Sequence, residues 1–278
     1  MLENTFAQLH KPIRSHLEKI GLEEPSDIQR IAIPPILQGR NVLVIAPTGT
    51  GKTLASILPV FNMFLERRSR SETKGISILY ITPLRALNRD IVRRLSEVGK
   101  ELDIKVQVRH GDTPTSTRIM QAKSPPEMLV TTPETLQAIL PGRRMREHLR
   151  NVRWVIVDEI HELATDERGV QLSLALERLE HLAGRSFQRI GLSATVGEEE
   201  KVAHFLAGTD RLVEIAKSEE LKQFEIEIQY VPPTSADATN ADRFGLPATT
   251  VARAKKIEEI ISQKQSTLVF TNTREQAE

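Results

Sequence analysis

The sequence predicts an α/β fold in which a largely parallel sheet carries helices on both faces. Short apolar runs rich in β-branched residues alternate along the chain with longer segments whose apolar residues recur every three or four positions. Strands that alternate with helices in this way form parallel sheets, and ligands collect at the carboxyl ends of those strands. The motifs described below all follow predicted strands, so they are expected to share one edge of the sheet.

The composition is that of a globular protein. The 278 residues, of which 39% are hydrophobic and 27% charged, are enough for one large domain or two smaller ones. A net charge of +1 means that any basic surface for nucleic acid must be local. The absence of cysteine excludes a disulfide framework and a thiolate metal site. No apolar run approaches the ~20 residues that span a bilayer, and no signal peptide is apparent, so we expect a cytoplasmic protein.

Two helices are predicted before the first strand. Apolar residues at helical spacing cover Phe6–Ile20, where Pro12 starts or breaks the helix and Gly21 ends it. The second helix begins near Asp27, and Pro34-Pro35 is expected to stop or kink it.

The chain up to residue 218 then alternates between strands and helices. The predicted strands are Asn41–Ile45, Ser77–Ile81, Lys105–Arg109, Glu127–Thr131, Trp154–Asp158, Gln188–Leu192 and Arg211–Ile215. The predicted helices are Leu54–Leu65, Leu84–Leu102, Thr115–Ala122, Glu134–Leu140, Val170–Leu182 and Glu199–Ala207.

The sequence changes character at residue 219. Phe224–Val231 alternates strictly and predicts a half-exposed strand, whereas Pro232–Pro247 predicts a mobile loop. A helix over Arg253–Gln263 and a strand over Thr267–Phe270 follow. Because the chain stops shortly afterwards, we interpret residues 219–278 as a linker and the start of a second domain.

The stretch APTGTGKT, Ala46–Thr53, has the pattern of a phosphate-binding loop between a strand and a helix. Its glycines allow backbone N–H groups to turn toward phosphate oxygens, and the following helix N-terminus adds positive potential. Lys52 is the candidate ligand of the β- and γ-phosphates, and Thr53 is the candidate Mg²⁺ ligand. An ordinary glycine turn is the alternative. The candidate nucleotide-binding residues of this loop are Ala46, Pro47, Thr48, Gly49, Thr50, Gly51, Lys52 and Thr53.

A second motif, VIVDEIH, places two acids at the end of an apolar strand. Asp158 is the candidate to hold Mg²⁺, and Glu159 is the candidate general base for an attacking water. The alternative is a strand that ends in a solvated acidic loop. The phosphate-loop pattern favours the first interpretation, because a nucleotide site needs both halves.

With these motifs and Ser193-Ala194-Thr195, the chain resembles superfamily 2 nucleic-acid helicases of the DEAD/DEAH-box group. Alanine is usual there in the place of Ala46, where the general loop pattern has glycine. The stretches PSDIQ, TPLRALNRD, HGDTP, TTPE and DEIHEL are most similar to the large helicase-related subgroup. The resemblance covers nearly the whole chain. It implies a RecA-like phosphate-loop NTPase domain at residues 1–218 that binds ATP and Mg²⁺, and a truncated second RecA-like domain at 219–278.

The resemblance also implies roles by position. Gln29 would hydrogen-bond adenine, and Phe6 is either a residue that stacks on adenine or a core residue of the first helix. The residues expected to follow a nucleic-acid strand, or simply to cap helices, are Pro83, Arg85, Gly111, Asp112, Thr132, Pro133 and Glu134. The residues expected to couple the two sites are Ser193, Thr195 and His161. A basic cluster, interpreted as a solvated face in preference to a nucleic-acid contact, comprises Arg143, Arg144, Arg146, Arg150 and Arg153.

The implied activity is that of an ATP-dependent helicase or translocase on single-stranded nucleic acid, with DNA slightly favoured over RNA and no membrane partner. The resemblance requires a second RecA-like domain in cis for its arginine finger, so this chain is expected to hydrolyse ATP slowly. We expect a monomer. Two alternatives are a double-strand translocase that does not unwind and a nucleotide-binding module without turnover. The joint presence of Lys52, Thr53, Asp158 and Glu159 argues against the module.

Overall fold

The computed structural model describes residues 4–70, 73–83, 88–194, 197–218 and 226–272, without the side chains of residues 88–90, 242 and 244. It divides into two compact units, Met1–Lys222 and Gln223–Glu278. The division lies close to residue 218, after which the sequence changes character.

A parallel sheet forms the centre of the first unit. Its strands are β1 (Asn41–Ile45), β2 (Ile78–Ile81), β3 (Val106–Arg109), β4 (Met128–Thr131), β5 (Trp154–Val157), β6 (Gln188–Ser193) and β7 (Val213–Lys217). They are ordered β3-β4-β2-β5-β6-β1-β7, and each neighbouring pair is parallel. The parallel α/β fold is therefore confirmed, with strands that begin and end within two residues of their predicted bounds.

Helices cover the sheet on both faces. Those of the first unit are α1 (Lys11–Lys19), α2 (Asp27–Leu37), α3 (Lys52–Ser69), α4 (Asn88–Glu101), α5 (Thr115–Lys123), α6 (Pro133–Ile139), α7 (Arg143–Leu149), α8 (Ile160–Ala164), α9 (Glu167–Ala183) and α10 (Glu199–Ala207). None of the helices within the described residues is long and apolar enough to span a lipid bilayer.

The strands are buried on both sides, so alternate residues enter two separate cores. Val42 and Val44 pack with residues of α1–α4, whereas Leu43 and Ile45 pack with residues of α6–α10. This is the burial pattern of a parallel sheet with helices on each face. It leaves the two edges where strands start and end as the places for polar function.

The N-terminal region differs in detail from its prediction. A short 3₁₀ helix at Thr5–Gln8 precedes α1, and Pro12 lies in the first turn of α1, where a missing N–H breaks no hydrogen bond. The helix α2 contains Pro34 and Pro35 and ends at Leu37, within one turn of them.

The second unit departs further from the predictions. Its helices are α11 (Ser235–Phe244) and α12 (Ala248–Ser262). The predicted loop Pro232–Pro247 is wrong, because Thr234 and Asp237 form a capping box that begins α11. The predicted strands are also wrong for residues 226–231 and 267–270, which adopt no regular structure. A strand needs a neighbour to pair with, and the described part of this unit offers none.

Candidate nucleotide site and nucleic-acid interface

The loop between β1 and α3 has the backbone shape that a phosphate cradle requires. Gly49 and Gly51 both have positive φ, at 78° and 95°. At the φ of Gly51 any other residue would be strained, and a Cβ there would also lie 2.5 Å from the side-chain amide of Gln29. The Thr50 hydroxyl donates to the Pro47 carbonyl at 2.7 Å and closes the turn. The loop is therefore held in shape before any ligand arrives.

Lys52 is held inside this loop. It is only 7% exposed, and its ammonium donates to the Ala46 carbonyl at 2.5 Å. A buried ammonium is costly unless it is bound by oxygen atoms. Phosphate oxygens can supply that binding, so the position of Lys52 fits its predicted role.

Gln29 braces the loop from α2. Its side-chain oxygen accepts from the backbone N–H of Ser26 at 2.9 Å, and its amide nitrogen faces the Gly51 carbonyl at 3.4 Å. The Ser26 hydroxyl donates to the Thr50 carbonyl at 2.8 Å. Gln29 is 2% exposed, and in this structure its amide supports the phosphate loop.

The two acids follow β5 at the carboxyl edge of the sheet. The Asp158 carboxylate accepts from Tyr80 through Oδ2 at 2.7 Å and from the Glu159 backbone N–H through Oδ1 at 3.0 Å. The pKa of Asp158 is raised to about 6, chiefly by burial and in part by the charge of Glu159, whereas the Tyr80 hydrogen bond opposes the rise. Glu159 itself adopts a left-handed backbone conformation, with φ 45°. A non-glycine residue in that region is strained, and such strain concentrates at functional sites.

One cavity brings the two motifs together. It has a volume of about 410 Å³ and is lined by Thr48, Gly49, Lys52, Thr53, Asp158 and Glu159, together with residues of α1, α3 and α4. The oxygen donors of Thr53 and Asp158 suit Mg²⁺, which prefers hard oxygen ligands and is usually bound through few protein groups and substrate phosphates. The residues present therefore fit a magnesium nucleotide.

His161 and Ser193 connect neighbouring strand ends beside this cavity. The Ser193 hydroxyl lies 3.0 Å from His161 Nδ1, and the same nitrogen lies 3.6 Å from a Glu159 carboxylate oxygen. The contact joins the end of β6 to the residues after β5. Thr195, the third predicted coupling residue, lies outside the described residues.

The predicted nucleic-acid stretches meet at the other half of the same edge. Pro83 follows β2, and Thr132, Pro133 and Glu134 follow β4, the neighbouring strand. The Thr132 hydroxyl caps α6, so the helix-start interpretation is correct for this stretch. Arg85 lies outside the described residues.

Arg168, in the first turn of α9, ties these stretches together. Its guanidinium donates to the Glu134 carboxylate at 2.5 Å and to the Pro83 carbonyl at 2.7 Å. Burial alone would raise the pKa of Glu134, but the hydrogen bonds from Arg168 and Thr132 outweigh it and leave that pKa below its usual value. Arg168 thus links the segment that follows the acidic motif to two candidate strand-binding loops.

The loop after β3 is shaped by a second arginine. Arg118 of α5 donates to the carbonyls of Gly111 at 2.5 Å and Thr113 at 2.8 Å. Arg109 lies beside it, and burial and then the charge of Arg118 lower the pKa of Arg109. Both arginines line a cavity of about 320 Å³ that also reaches Thr132. Two adjacent guanidinium groups repel each other, so an anion in this cavity would be stabilised.

Phe6, Asp112 and the basic cluster do not line either of the two cavities described above. Phe6 is 4% exposed and belongs to the apolar core with α1, which favours its core interpretation. Asp112 is exposed on the loop after β3, with its backbone N–H donating to His110 Nδ1 at 3.2 Å. The basic cluster lies largely on the exposed face of α7, and Arg153 immediately precedes β5, at the edge opposite the candidate site.

Sequence reasoning missed Tyr80, Arg118 and Arg168. Tyr80 sits in an apolar strand and has the appearance of a core residue. Arg168 follows Pro83 by 85 positions, so no local pattern connects them. For both arginines the available signal was a cation close to a motif, which is usually no more than a solvated charge.

These features occur together in RecA-like phosphate-loop nucleotide-binding domains, and this is the class of domain that the first unit forms. A family model described as DEAD/DEAH box helicase matches residues 26–203. The chain belongs to the DEAD/DEAH box helicase family, as the resemblance implied.

Similar proteins agree with the predicted subgroup. The ATP-dependent helicase Lhr-Core of Methanothermobacter thermautotrophicus is 41% identical over 265 residues, which cover 90% of this chain and 30% of that protein. The Lhr helicase/uracil glycosylase of Escherichia coli is 36% identical over 285 residues, which cover 93% of this chain and 18% of that protein. The structure of Mycobacterium smegmatis helicase Lhr bound to ssDNA and AMP-PNP matches with a TM-score of 0.79 and 34% identity, covering 98% of this chain and 35% of that one. The chain thus spans about a third or less of the length of these relatives.

Proposed function

We propose that this chain is the ATP-binding part of an ATP-dependent helicase or translocase that moves along single-stranded nucleic acid. The observation that carries the proposal is the single cavity that contains Lys52 and Thr53 of the phosphate loop and Asp158 and Glu159 of the acidic motif. Family membership supports it, since the similar proteins named above are helicases.

Each residue of the cavity has a role in this proposal. The loop N–H groups and Lys52 would bind the phosphates, and Thr53 and Asp158 would hold Mg²⁺. Glu159 would orient a water for in-line attack on the γ-phosphorus and accept its proton, while the bond from that phosphorus to the bridging oxygen breaks and ADP leaves. Mg²⁺ held there would neutralise the charge that develops on the phosphate oxygens.

The candidate nucleic-acid path runs along the carboxyl ends of β2, β4 and β3. Backbone groups and hydroxyls near Pro83, Gly111 and Thr132 would contact one strand through its phosphates, and the adjacent Arg109 and Arg118 add positive charge. We place single-stranded DNA ahead of RNA because the similar Mycobacterium smegmatis helicase is described with ssDNA. The contact between Ser193 and His161 is the proposed link from this path to the nucleotide.

Residues 219–278 are proposed to begin a second RecA-like domain. That domain would supply an arginine to the developing phosphate charge, and without it turnover falls by ~10³ or more. The chain therefore binds nucleotide on its own and hydrolyses it slowly. We propose a monomer that acts in the cytoplasm, where ATP and nucleic acid are both present.

The test is the ATPase rate of a protein extended through its second domain, measured alone, with single-stranded DNA and with single-stranded RNA. Stimulation by one polymer is expected, and the Glu159→Gln variant should remove it together with the basal rate. If the variant abolishes the ATPase rate but neither polymer changes it, the protein is an ATPase and the proposal that it moves along single-stranded nucleic acid is refuted. ATPase without strand displacement would favour a translocase that does not unwind.

A further inference from the structure

Tyr80 is a buried hydroxyl inside an apolar sheet. It lies on β2 opposite Ile156 of β5 and is 0% exposed. A buried tyrosine keeps its hydroxyl only where a polar partner is available, because an unsatisfied hydroxyl in an apolar core is costly. Its partner is Asp158, one of the two side chains that the proposed function assigns to Mg²⁺.

The hydrogen bond of Tyr80 has a defined direction. The Tyr80 hydroxyl donates to Asp158 Oδ2 at 2.7 Å, and a carboxylate can only accept. The single proton of Tyr80 is therefore directed to Asp158.

This direction prepares Asp158 for a cation. Asp158 is held at both oxygens, by Tyr80 and by the Glu159 N–H at 3.0 Å. Each carboxylate oxygen has about two acceptor sites, so one on each remains for metal-bound water.

We propose that Tyr80 is a positioning residue for Mg²⁺, which orients Asp158 through one hydroxyl. This inference rests on the proposed magnesium-nucleotide site and adds to it a residue from outside the nucleotide motifs. Tyr80 is not among the residues that line the nucleotide cavity. It acts through Asp158, as outer-shell partners do at other metal sites.

The Tyr80→Phe variant removes the hydroxyl and keeps the ring. The chain contains two tyrosines, and Tyr230 is 86% exposed in the second unit, so Tyr230→Phe is a matched control with the same chemical change. Binding of the fluorescent nucleotide mant-ADP is measured in EDTA and across a Mg²⁺ titration. For Tyr80→Phe we expect unchanged affinity in EDTA and about tenfold more Mg²⁺ for half-maximal enhancement. The control should match the unchanged chain.

A merely structural role would lower affinity in EDTA and Mg²⁺ alike, and that result would overturn the proposal. So would a Tyr80→Phe variant with unchanged Mg²⁺ dependence, which would leave the nucleotide site itself intact. If the unchanged chain binds mant-ADP equally with and without Mg²⁺, the magnesium-nucleotide proposal fails as well.

Two further measurements cover the remaining cases. In an Asp158→Asn background, Tyr80→Phe should have little further effect on Mg²⁺ dependence, and an additive effect would contradict action through Asp158. If Tyr80→Phe does not fold, ring-labelled tyrosine in the Tyr230→Phe chain reports on Tyr80 alone. Its resonance should shift when Mg²⁺ is added to the ADP complex, and a resonance that stays fixed would overturn the proposal.

Discussion

Replacing Asp158 by asparagine is expected to stabilise the nucleotide-free first unit. The pKa of Asp158 rises from 3.8 to about 6 because the carboxyl is buried. At ~1.36 kcal/mol per pKa unit, keeping it ionised costs the folded state about 3 kcal/mol. Asparagine removes that charge but loses an acceptor worth about 1 kcal/mol, which leaves a net gain of about 2 kcal/mol.

The pH dependence of this gain is its most specific feature. Because the folded pKa lies above the unfolded one, the stability contributed by the protonated form is fully present below pH 3.8 and is lost as pH rises through about 6. The variant should therefore be more stable than the unchanged chain at about pH 8 and lose all of that advantage by about pH 4.

Trp154 provides the assay. It is the single tryptophan, is 5% exposed and lies on β5, so its fluorescence reports unfolding of the first unit. Urea titrations at several pH values give the free energy of unfolding, and a gain of about 2 kcal/mol corresponds to roughly 4–8 °C in Tm. Asp210→Asn changes an exposed aspartate and serves as the control. A difference that does not vary with pH, or a variant less stable at about pH 8, would refute the reasoning.

Three further predictions concern packing and charge. Gly169→Ala should destabilise the first unit by about 1–3 kcal/mol in urea titrations, because the added Cβ would lie 2.0 Å from a backbone oxygen. Gly197→Ala is the control and should have little effect, because a Cβ at Gly197 would meet nothing within 4 Å. Arg189→Met should lower the free energy of unfolding by about 3–5 kcal/mol, since Arg189 is 2% exposed and donates to Glu180 at 2.8 Å. An unchanged urea midpoint would show that this ion pair does not stabilise the first unit. Arg118→Gln should reduce by about 1 the slope with which the logarithm of the single-stranded DNA binding constant falls against the logarithm of the salt concentration. An unchanged slope would show that Arg118 does not contact a phosphate.

The sheet could be predicted from the sequence because its signals are local. Each strand of the first unit is a continuous apolar run, and each following motif begins with a residue that starts a helix or turn. The order of the strands in the sheet depends on contacts between distant parts of the chain. The neighbouring ends of β2 and β4, where Pro83 and Thr132 lie, become adjacent only after the chain has folded.

The nucleotide site was predictable to the level of residue types, but its internal contacts were not. The two motifs predict that Lys52 and Asp158 lie in one site. The hydrogen bond from Tyr80 to Asp158 joins residues that are 78 positions apart in the sequence, so no motif contains both. A strand that is apolar on both faces gives no sign of which side chain carries a useful hydroxyl.

In the second unit a clear local pattern led to a wrong prediction. Strict alternation over Phe224–Val231 predicts a strand, yet residues 226–231 are irregular because alternation describes burial on a sheet and cannot supply the neighbouring strand. The helix α11 had a readable signal in Thr234 and Asp237, which the surrounding prolines and alanines obscured.

The polarity of the sheet has a practical consequence for labelling the protein. All candidate site residues at strand ends lie at the carboxyl edge, so the loops that lead into the strands form an edge where a probe can be attached. Lys123, the exposed last residue of α5, lies on the approach to β4 at that edge. Because the chain has no cysteine, Lys123→Cys would offer a single thiol for a fluorophore or a surface tether. The molecule could then be held by one edge while its other edge stays open to nucleotide and nucleic acid.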